Sequence, residues 1–368
     1  MAAFRVLFAG GGTGGHLFPA IAIAEELKKL RPETEIHFVG TKKKLEAHVV
    51  PQKGYAFHTI WISGFHRSLR LDNLLFPLKV IVSFMQALSI IKKYNPDVVV
   101  GTGGYVSGPV LRAAIFSGIP TLIQEQNSYP GVTTRMLAGK VTEVHLTFEQ
   151  SKKFLVQRAN VFVTGNPTRS NLENVDQVAA VEYFGFDQHQ QKTTILVVGG
   201  SLGAHSINMA MIQCLDQLVQ RGLRIIWQTG NEDSQTITNS IQQYTSKDIW
   251  VNSFIDRMDY AYAVADIVVC RAGATTIAEL TRLGKPAILV PYPFAAANHQ
   301  VENARSLAES GAAIVLKDNE VAITLQPAIK SLLDLQKRRN LGDQSKRFGK
   351  PNAAADIAKK VLQLSRVK

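Results

Sequence analysis

Leu7 to His16 reads LFAGGGTGGH, an apolar run followed by five glycines, a threonine and a titratable ring at the opening of an amphipathic stretch. Glycines let backbone amides close on a diphosphate, and the start of a helix adds unpaired N–H groups and a partial positive charge. Gly10-x-Gly12-x-x-Gly15 formally matches a dinucleotide fingerprint, a weak signal on its own. His16 brings a group able to exchange a proton near neutral pH. A phosphate hydrogen bond or a local backbone cap would use the same ring. A second loop, GTGGYVSGP, follows the apolar run Val98–Val100. In RAGATTIAELTRL, Thr275, Thr276 and Glu279 share one helical face. A carboxylate there can accept from both vicinal hydroxyls of a ribose while the helix start attracts a diphosphate. Thr276-x-x-Glu279 is equally a capping box. Downstream, His299, Gln300 and Asn303 of NHQVENA are in position to meet a polar sugar.

These residues need rigid elements beneath them. Short β-branched runs alternate with amphipathic stretches, which is the pattern of parallel α/β architecture. Strands are expected at RVLFAG, EIHFVG, DVVVGTG, PTLIQE, EVHLTF, NVFVTG, TTILVVGG, RIIWQTG, IWVNSF, DIVVCRAG and PAILVPY. LFAGGGTGGH is echoed by LVVGGSLGAH, Leu196–His205, with Gly10/Gly199, Gly11/Gly200, Gly14/Gly203 and His16/His205 in one register. That repeat predicts two Rossmann-like domains facing across a cleft. GNPTRSNLEN, with its Gly, Asn and Pro, marks the break between them.

With 368 residues and 46% hydrophobic residues, two domains with sizeable cores are the natural expectation. The net charge of +12 is uneven: residues 1–167 hold 19 Lys/Arg against 10 Asp/Glu. A basic first half favours an anionic partner. Nucleic acid is disfavoured, because no helix-turn-helix, zinc-finger or RNP-like pattern accompanies the charge. Cys214 and Cys270 lie far apart, against a disulfide framework or thiolate metal site and in keeping with a reducing cytoplasm. MAAFRVLFAG runs straight into the glycine loop, so no signal peptide is expected before the first strand. An NAD enzyme would want an acidic residue after the second strand; FVGTKKKLE offers Lys42, Lys43 and Lys44 instead, which NADP could use.

Taken together, GGTGGHLFPA, GTGGYVSGP, EQN, GNPTR, GGSLGAHSIN, RAGATTIAEL and NHQVENA resemble the MurG family of peptidoglycan N-acetylglucosaminyltransferases, over essentially the whole chain. The resemblance implies an α/β GT-B fold and transfer of GlcNAc from UDP-GlcNAc to the C4 hydroxyl of undecaprenyl-diphosphate-MurNAc-pentapeptide, converting lipid I to lipid II. It implies a first domain over 1–166 for the lipid-linked acceptor, joined by a returning helix at about 347–368, and a donor domain over 167–346. Carried over residue by residue, Thr13, Gly14 and Gly15 fall near sugar and acceptor diphosphate, with Gly12, Gly103, Gly104 and Tyr105 on the acceptor diphosphate. Asn127 matches a GlcNAc contact, and Arg169 and Ser201 match donor diphosphate and nucleotide contacts. Ile255 matches the residue whose backbone reads the uracil. Ala274, Thr275, Thr276, Ile277, Ala278 and Glu279 match the α-phosphate and ribose stretch, and Gln300 a sugar contact. Leu202 stands where many members have glutamine, and a leucine cannot hydrogen-bond a ligand.

An α-linked donor and a β-1,4 product mean inversion, hence one in-line step with a general base; His16 is the candidate and Glu125 its rival. No Asp-x-Asp metal grip is present and the histidines lack ligand spacing, so neither metal nor cofactor is expected. Leu74–Ile91 is hydrophobic but interrupted by Pro77, Lys79 and Gln86. With Trp61, Phe65, His66, Arg67 and Arg70 upstream, it suits either a core helix or a patch on an anionic membrane surface. The resemblance places the protein peripherally on the cytoplasmic face of the inner membrane, with cell-wall synthesis proteins as partners. The competing readings are an NADP-dependent oxidoreductase, a UDP-GlcNAc 2-epimerase and a non-catalytic nucleotide-sugar-binding subunit.

Overall fold

The computed structural model describes residues 3–64, 75–169, 172–200, 202–244, 247–295 and 298–364. The chain divides into two compact units, Met1–Arg169 with Lys350–Lys368, and Ser170–Gly349. The first carries a parallel sheet of β1 (Arg5–Gly10), β2 (Glu35–Gly40), β3 (Ala56–Thr59), β4 (Val98–Gly103), β5 (Thr121–Glu125), β6 (Glu143–Leu146) and β7 (Val161–Val163). Their spatial order is β3-β2-β1-β4-β5-β6-β7. The second carries β8 (Thr194–Val198), β9 (Arg224–Gln228), β10 (Ile249–Asn252), β11 (Ile267–Cys270), β12 (Ala287–Leu289) and β13 (Ile314–Val315). Its order is β10-β9-β8-β11-β12-β13. Each unit is a Rossmann-like α/β sandwich.

The central strands are buried on both faces, which is why they read as unbroken Val, Ile and Leu runs. In each sheet the winding reverses between the first strand and its fourth, at β1/β4 and β8/β11. Chain ends splay apart at such a reversal and leave a crevice beyond the carboxyl ends of the strands. The turns after β1, β4 and β8 are glycine-rich and the short one after β11 ends in Gly273, so the sequence puts its permissive backbone where the topology opens. All eleven expected strands are present. Two others were not foreseen: β3 is four half-exposed residues, and β13 only two, too short for any periodicity to register.

The helix Ala353–Gln363 belongs to the first unit. Ile357, Ala358 and Val361 are buried in one cluster with Leu17, Ala20, Ile21 and Ala24 of the helix Gly14–Leu30. Gly165 has no Cβ where the Lys350 side chain approaches, and this lets the returning segment lie close.

Both cysteines are buried and reduced. Burial pushes the Cys214 thiol up to about 11 and the Cys270 thiol up to about 12, with the Glu279 charge adding to the second. Thiolate is the reacting form. Ellman's reagent at pH 8 should therefore find neither thiol in the native protein and both after denaturation. Fast labelling of a native thiol would contradict this packing.

Candidate active site

The first glycine loop is held from below. Glu46, fully buried, accepts from the Gly12 N–H (2.9 Å), the Thr41 N–H (3.0 Å) and the Thr41 hydroxyl (2.8 Å). Gly12, at φ +87°, is in a conformation that favours glycine, and it delivers the chain to Thr13, the N-cap of the Gly14–Leu30 helix. The Gly12 N–H is thus donated to a carboxylate rather than held out from the loop. The Gly103 N–H likewise donates to the Ser107 hydroxyl at 2.9 Å. The amides that the geometry leaves for an anion are those of the first helical turns, Gly14 and Gly15 in one loop, Gly104 and Tyr105 in the other. The two loops touch: a Cβ on Gly104 would strike the Gly11 carbonyl, and one on Gly103 would lie 2.5 Å from the His16 ring.

His16 is half-buried at that junction. Its Nδ1 lies 2.8 Å from Gln126 Oε1 and 3.2 Å from the Thr102 carbonyl. Gln126 donates its amide to the Thr102 carbonyl (2.7 Å), which assigns its Oε1 as the acceptor facing histidine. Both neighbours accept, so the proton sits on Nδ1 and Nε2 is left basic. The helix is fastened there too, by the Thr102 hydroxyl donating to the His16 carbonyl at 2.8 Å. His205, the equivalent residue of the second unit, is different. It caps no backbone, and its Nδ1 pairs with Asp233 at 2.8 Å with the side chain largely in solvent.

Glu125 is buried with both oxygens engaged. Oε2 accepts from the Thr134 hydroxyl (2.6 Å) and the Gly131 N–H (2.9 Å), and Oε1 from the Asn127 N–H (3.1 Å). It shapes the 126–131 loop that presents half-buried Asn127, and this occupancy counts against it as a base. Arg169 closes the first unit with its guanidinium 4.8 Å from the centre of the Phe18 ring, two residues beyond His16.

In the second unit, the helix Ala274–Leu283 starts from Gly273 with no side-chain cap. Glu279 is therefore the sixth helical residue rather than the third, which rules out the capping box. Its carboxylate is buried and accepts from the Tyr262 hydroxyl at 3.0 Å. Ala274, Thr275 and Thr276 supply the first-turn amides, and half-exposed Ala278 follows on the next turn. The Ile277 side chain enters the core and its N–H donates to the Gly273 carbonyl. The Ile255 N–H is likewise occupied, donating to Gln228 Oε1 at 3.0 Å, so only its carbonyl remains to read a base. Gln228 also holds the Gly200 carbonyl (2.8 Å) and so joins two loops of the second unit, a role the sequence reading missed. Gln300 accepts from the Tyr292 N–H at 2.9 Å. Asn303 is fully buried and donates to the Ala272 carbonyl, which corrects its placement as a sugar contact. Leu202 is exposed, and Ser201, Phe65, His66, Arg67 and Arg70 lie outside the described residues.

Arg271 was also missed. It donates to the Val290 carbonyl (3.1 Å) and the Ser206 hydroxyl (3.1 Å) and pairs with Asp318, bracing the loop from which the Ala274–Leu283 helix starts. Among the described residues no group of three metal-ligating side chains is present.

Residues 6–146 match the glycosyltransferase family 28 N-terminal domain, and residues 194–361 the family 28 C-terminal domain. A relative from Chlorobaculum parvum is 46% identical over 98% of this chain and all of its own. One from Prosthecochloris aestuarii is 44% identical over 99% of this chain and all of its own. Both are named UDP-N-acetylglucosamine–N-acetylmuramyl-(pentapeptide) pyrophosphoryl-undecaprenol N-acetylglucosamine transferase. Among solved structures, Acinetobacter baumannii MurG is 28% identical with a TM-score of 0.76, covering 98% of this chain and 99% of its own. The chain belongs to glycosyltransferase family 28, within the family of N-acetylglucosamine transferases for which these relatives are named.

Proposed function

We propose that the protein transfers GlcNAc from UDP-GlcNAc to the C4 hydroxyl of undecaprenyl-diphosphate-MurNAc-pentapeptide, with inversion at the anomeric carbon. The observation that carries this is the end-to-end identity with relatives of that name. His16 is the base: Nε2 takes the acceptor hydroxyl proton as the oxygen attacks and UDP departs. Gly14, Gly15, Gly104 and Tyr105 receive the acceptor diphosphate, with Thr13 and Asn127 toward the sugar. Arg169, Ser201 and the first-turn amides of the Ala274–Leu283 helix stabilise charge on departing UDP by preorganised electrostatics. Glu279 grips the ribose. A dinucleotide reading is disfavoured because Glu46, the acidic residue after β2, and Gly12, the second fingerprint glycine, are hydrogen-bonded to each other rather than presented to a ligand. Incubating the purified chain with labelled UDP-GlcNAc and a lipid I analogue tests the reading. Labelled disaccharide product is expected, and its absence, or release of free label alone, would overturn it.

Attachment to the cytoplasmic face of an anionic membrane is part of the same proposal. No helix among the described residues is long and apolar enough to cross a bilayer. Lys79 and Gln86 do not break the apolar face of the Phe76–Tyr94 helix. Lys79 is buried, donating to the Ser63 hydroxyl beneath the Trp61 ring, and Gln86 accepts from the Trp61 N–H. Leu78, Ile81 and Met85, spaced three and four apart, are instead exposed on one face, Ile81 by 61%. Flotation with anionic vesicles should recover the protein, less so in high salt, and Ile81→Glu with Met85→Glu should weaken binding roughly tenfold. Binding equal on neutral vesicles would remove the electrostatic part.

A further inference from the structure

Glu46 holds the first glycine loop, and no part of the proposed chemistry uses it. Its side chain occupies a slot made by two missing Cβ atoms. A Cβ on Gly11 would lie 2.5 Å from the Glu46 carboxyl carbon, and one on Gly40 would strike its Cγ. Among the described residues no lysine or arginine pairs with it, although Lys42, Lys43 and Lys44 are exposed a few residues earlier. Three donors reach the buried carboxylate, the Gly12 N–H, the Thr41 N–H and the Thr41 hydroxyl, and it stands in the first turn of the helix Glu46–Gln52. A buried carboxylate held by short, directed hydrogen bonds fixes the groups that make them.

Two consequences reach the reacting end of the loop. Holding the Gly12 N–H inward sets the backbone at Gly12, from which Thr13, the helix start and His16 follow within one turn. A carboxylate 2.9 Å behind that amide also repels an anion arriving at the crown of the loop. The anion is left the amides of Gly14 and Gly15, nearer His16. We infer that Glu46 is a positioning residue for the transfer reaction, setting both the loop that carries His16 and the place where the acceptor diphosphate can settle. This rests on the reading under Proposed function.

Glu46→Gln tests it, because glutamine keeps the shape but sets an NH2 group against one of the donors. The expected result is a 10- to 100-fold lower kcat with a raised acceptor KM. Calorimetric UDP affinity should stay within twofold, since Glu279 and the Ala274–Leu283 helix are untouched. The acidic limb of the pH–rate profile should persist, His16 being still present. A purely structural role would instead lower the melting temperature while kcat per folded molecule held, and a kcat within twofold of the parent overturns the inference. A loss appearing equally in UDP affinity overturns it too. Should Glu46→Gln fail to fold, Thr41→Val removes a single donor at a half-buried site. It should lower kcat two- to fivefold at constant UDP affinity, and an unchanged kcat overturns the inference. Parent protein assayed alongside keeps the two readings apart: an inactive parent defeats the transferase reading, whereas an active parent with indifferent variants defeats only the role of Glu46.

Discussion

Alanine in place of His16 is expected to lower kcat by roughly two to four decades, the usual yield of a positioned general base. The donor KM should hardly move, because the ring's hydrogen-bond partners are Thr102 and Gln126 of its own unit. The acidic limb of the pH–rate profile should flatten, since protonation of Nε2 is what silences the base at low pH. Gln126→Leu should reproduce part of the loss by removing the acceptor that holds the proton on Nδ1. If His16→Ala instead cost mainly acceptor affinity and kept the limb, the ring would be a phosphate contact. Glu125 is a poor replacement, with the Gly131 amide, the Thr134 hydroxyl and the Asn127 amide already on its oxygens.

Glu279→Gln should weaken UDP and UDP-GlcNAc together by about one to two decades. A hydrogen bond to a charged carboxylate is worth roughly 1.5–3 kcal/mol, and each 1.4 kcal/mol is about tenfold in affinity. Glutamine still accepts from the buried Tyr262 hydroxyl, so the fold should survive and the loss should report the ribose contact. With the carboxylate on the sixth helical residue, no capping role competes for the interpretation. Calorimetry reads the outcome directly, and an unchanged UDP affinity would take Glu279 out of the donor site.

The fold was legible because burial on both faces writes β1, β4, β8 and β11 as uninterrupted apolar runs, and because the repeated glycine loops share a register. That shared register also put His16 and His205 at matching strand-to-helix turns, where the helices Gly14–Leu30 and His205–Gln220 begin. What stayed hidden was which hydrogen-bonding groups the protein consumes itself. Gly12, Gly103, Ile255 and Asn303 look available in a string of letters, yet each is bonded internally, to Glu46, Ser107, Gln228 and Ala272. Those partners lie 34, 4, 27 and 31 residues away, and three of the four are beyond the reach of any local pattern. Glu46 was hidden by its neighbours, because three lysines beside it drew the reading toward a basic surface.

The helix Ala353–Gln363 gives the first unit an unusual order of assembly. Its buried Ile357, Ala358 and Val361 are made about 330 residues after the Leu17–Leu27 surface they cover. Between them the ribosome must translate Ser170–Gly349, which at about 5–20 residues per second takes roughly 10–40 s. For that interval the helix bearing His16 is tethered to the exit tunnel with one apolar flank uncovered, and no local folding can hasten its completion. Nascent chains stalled before residue 350 should thus attract chaperones at this flank, and a truncated message would leave behind a first unit that never closes its core.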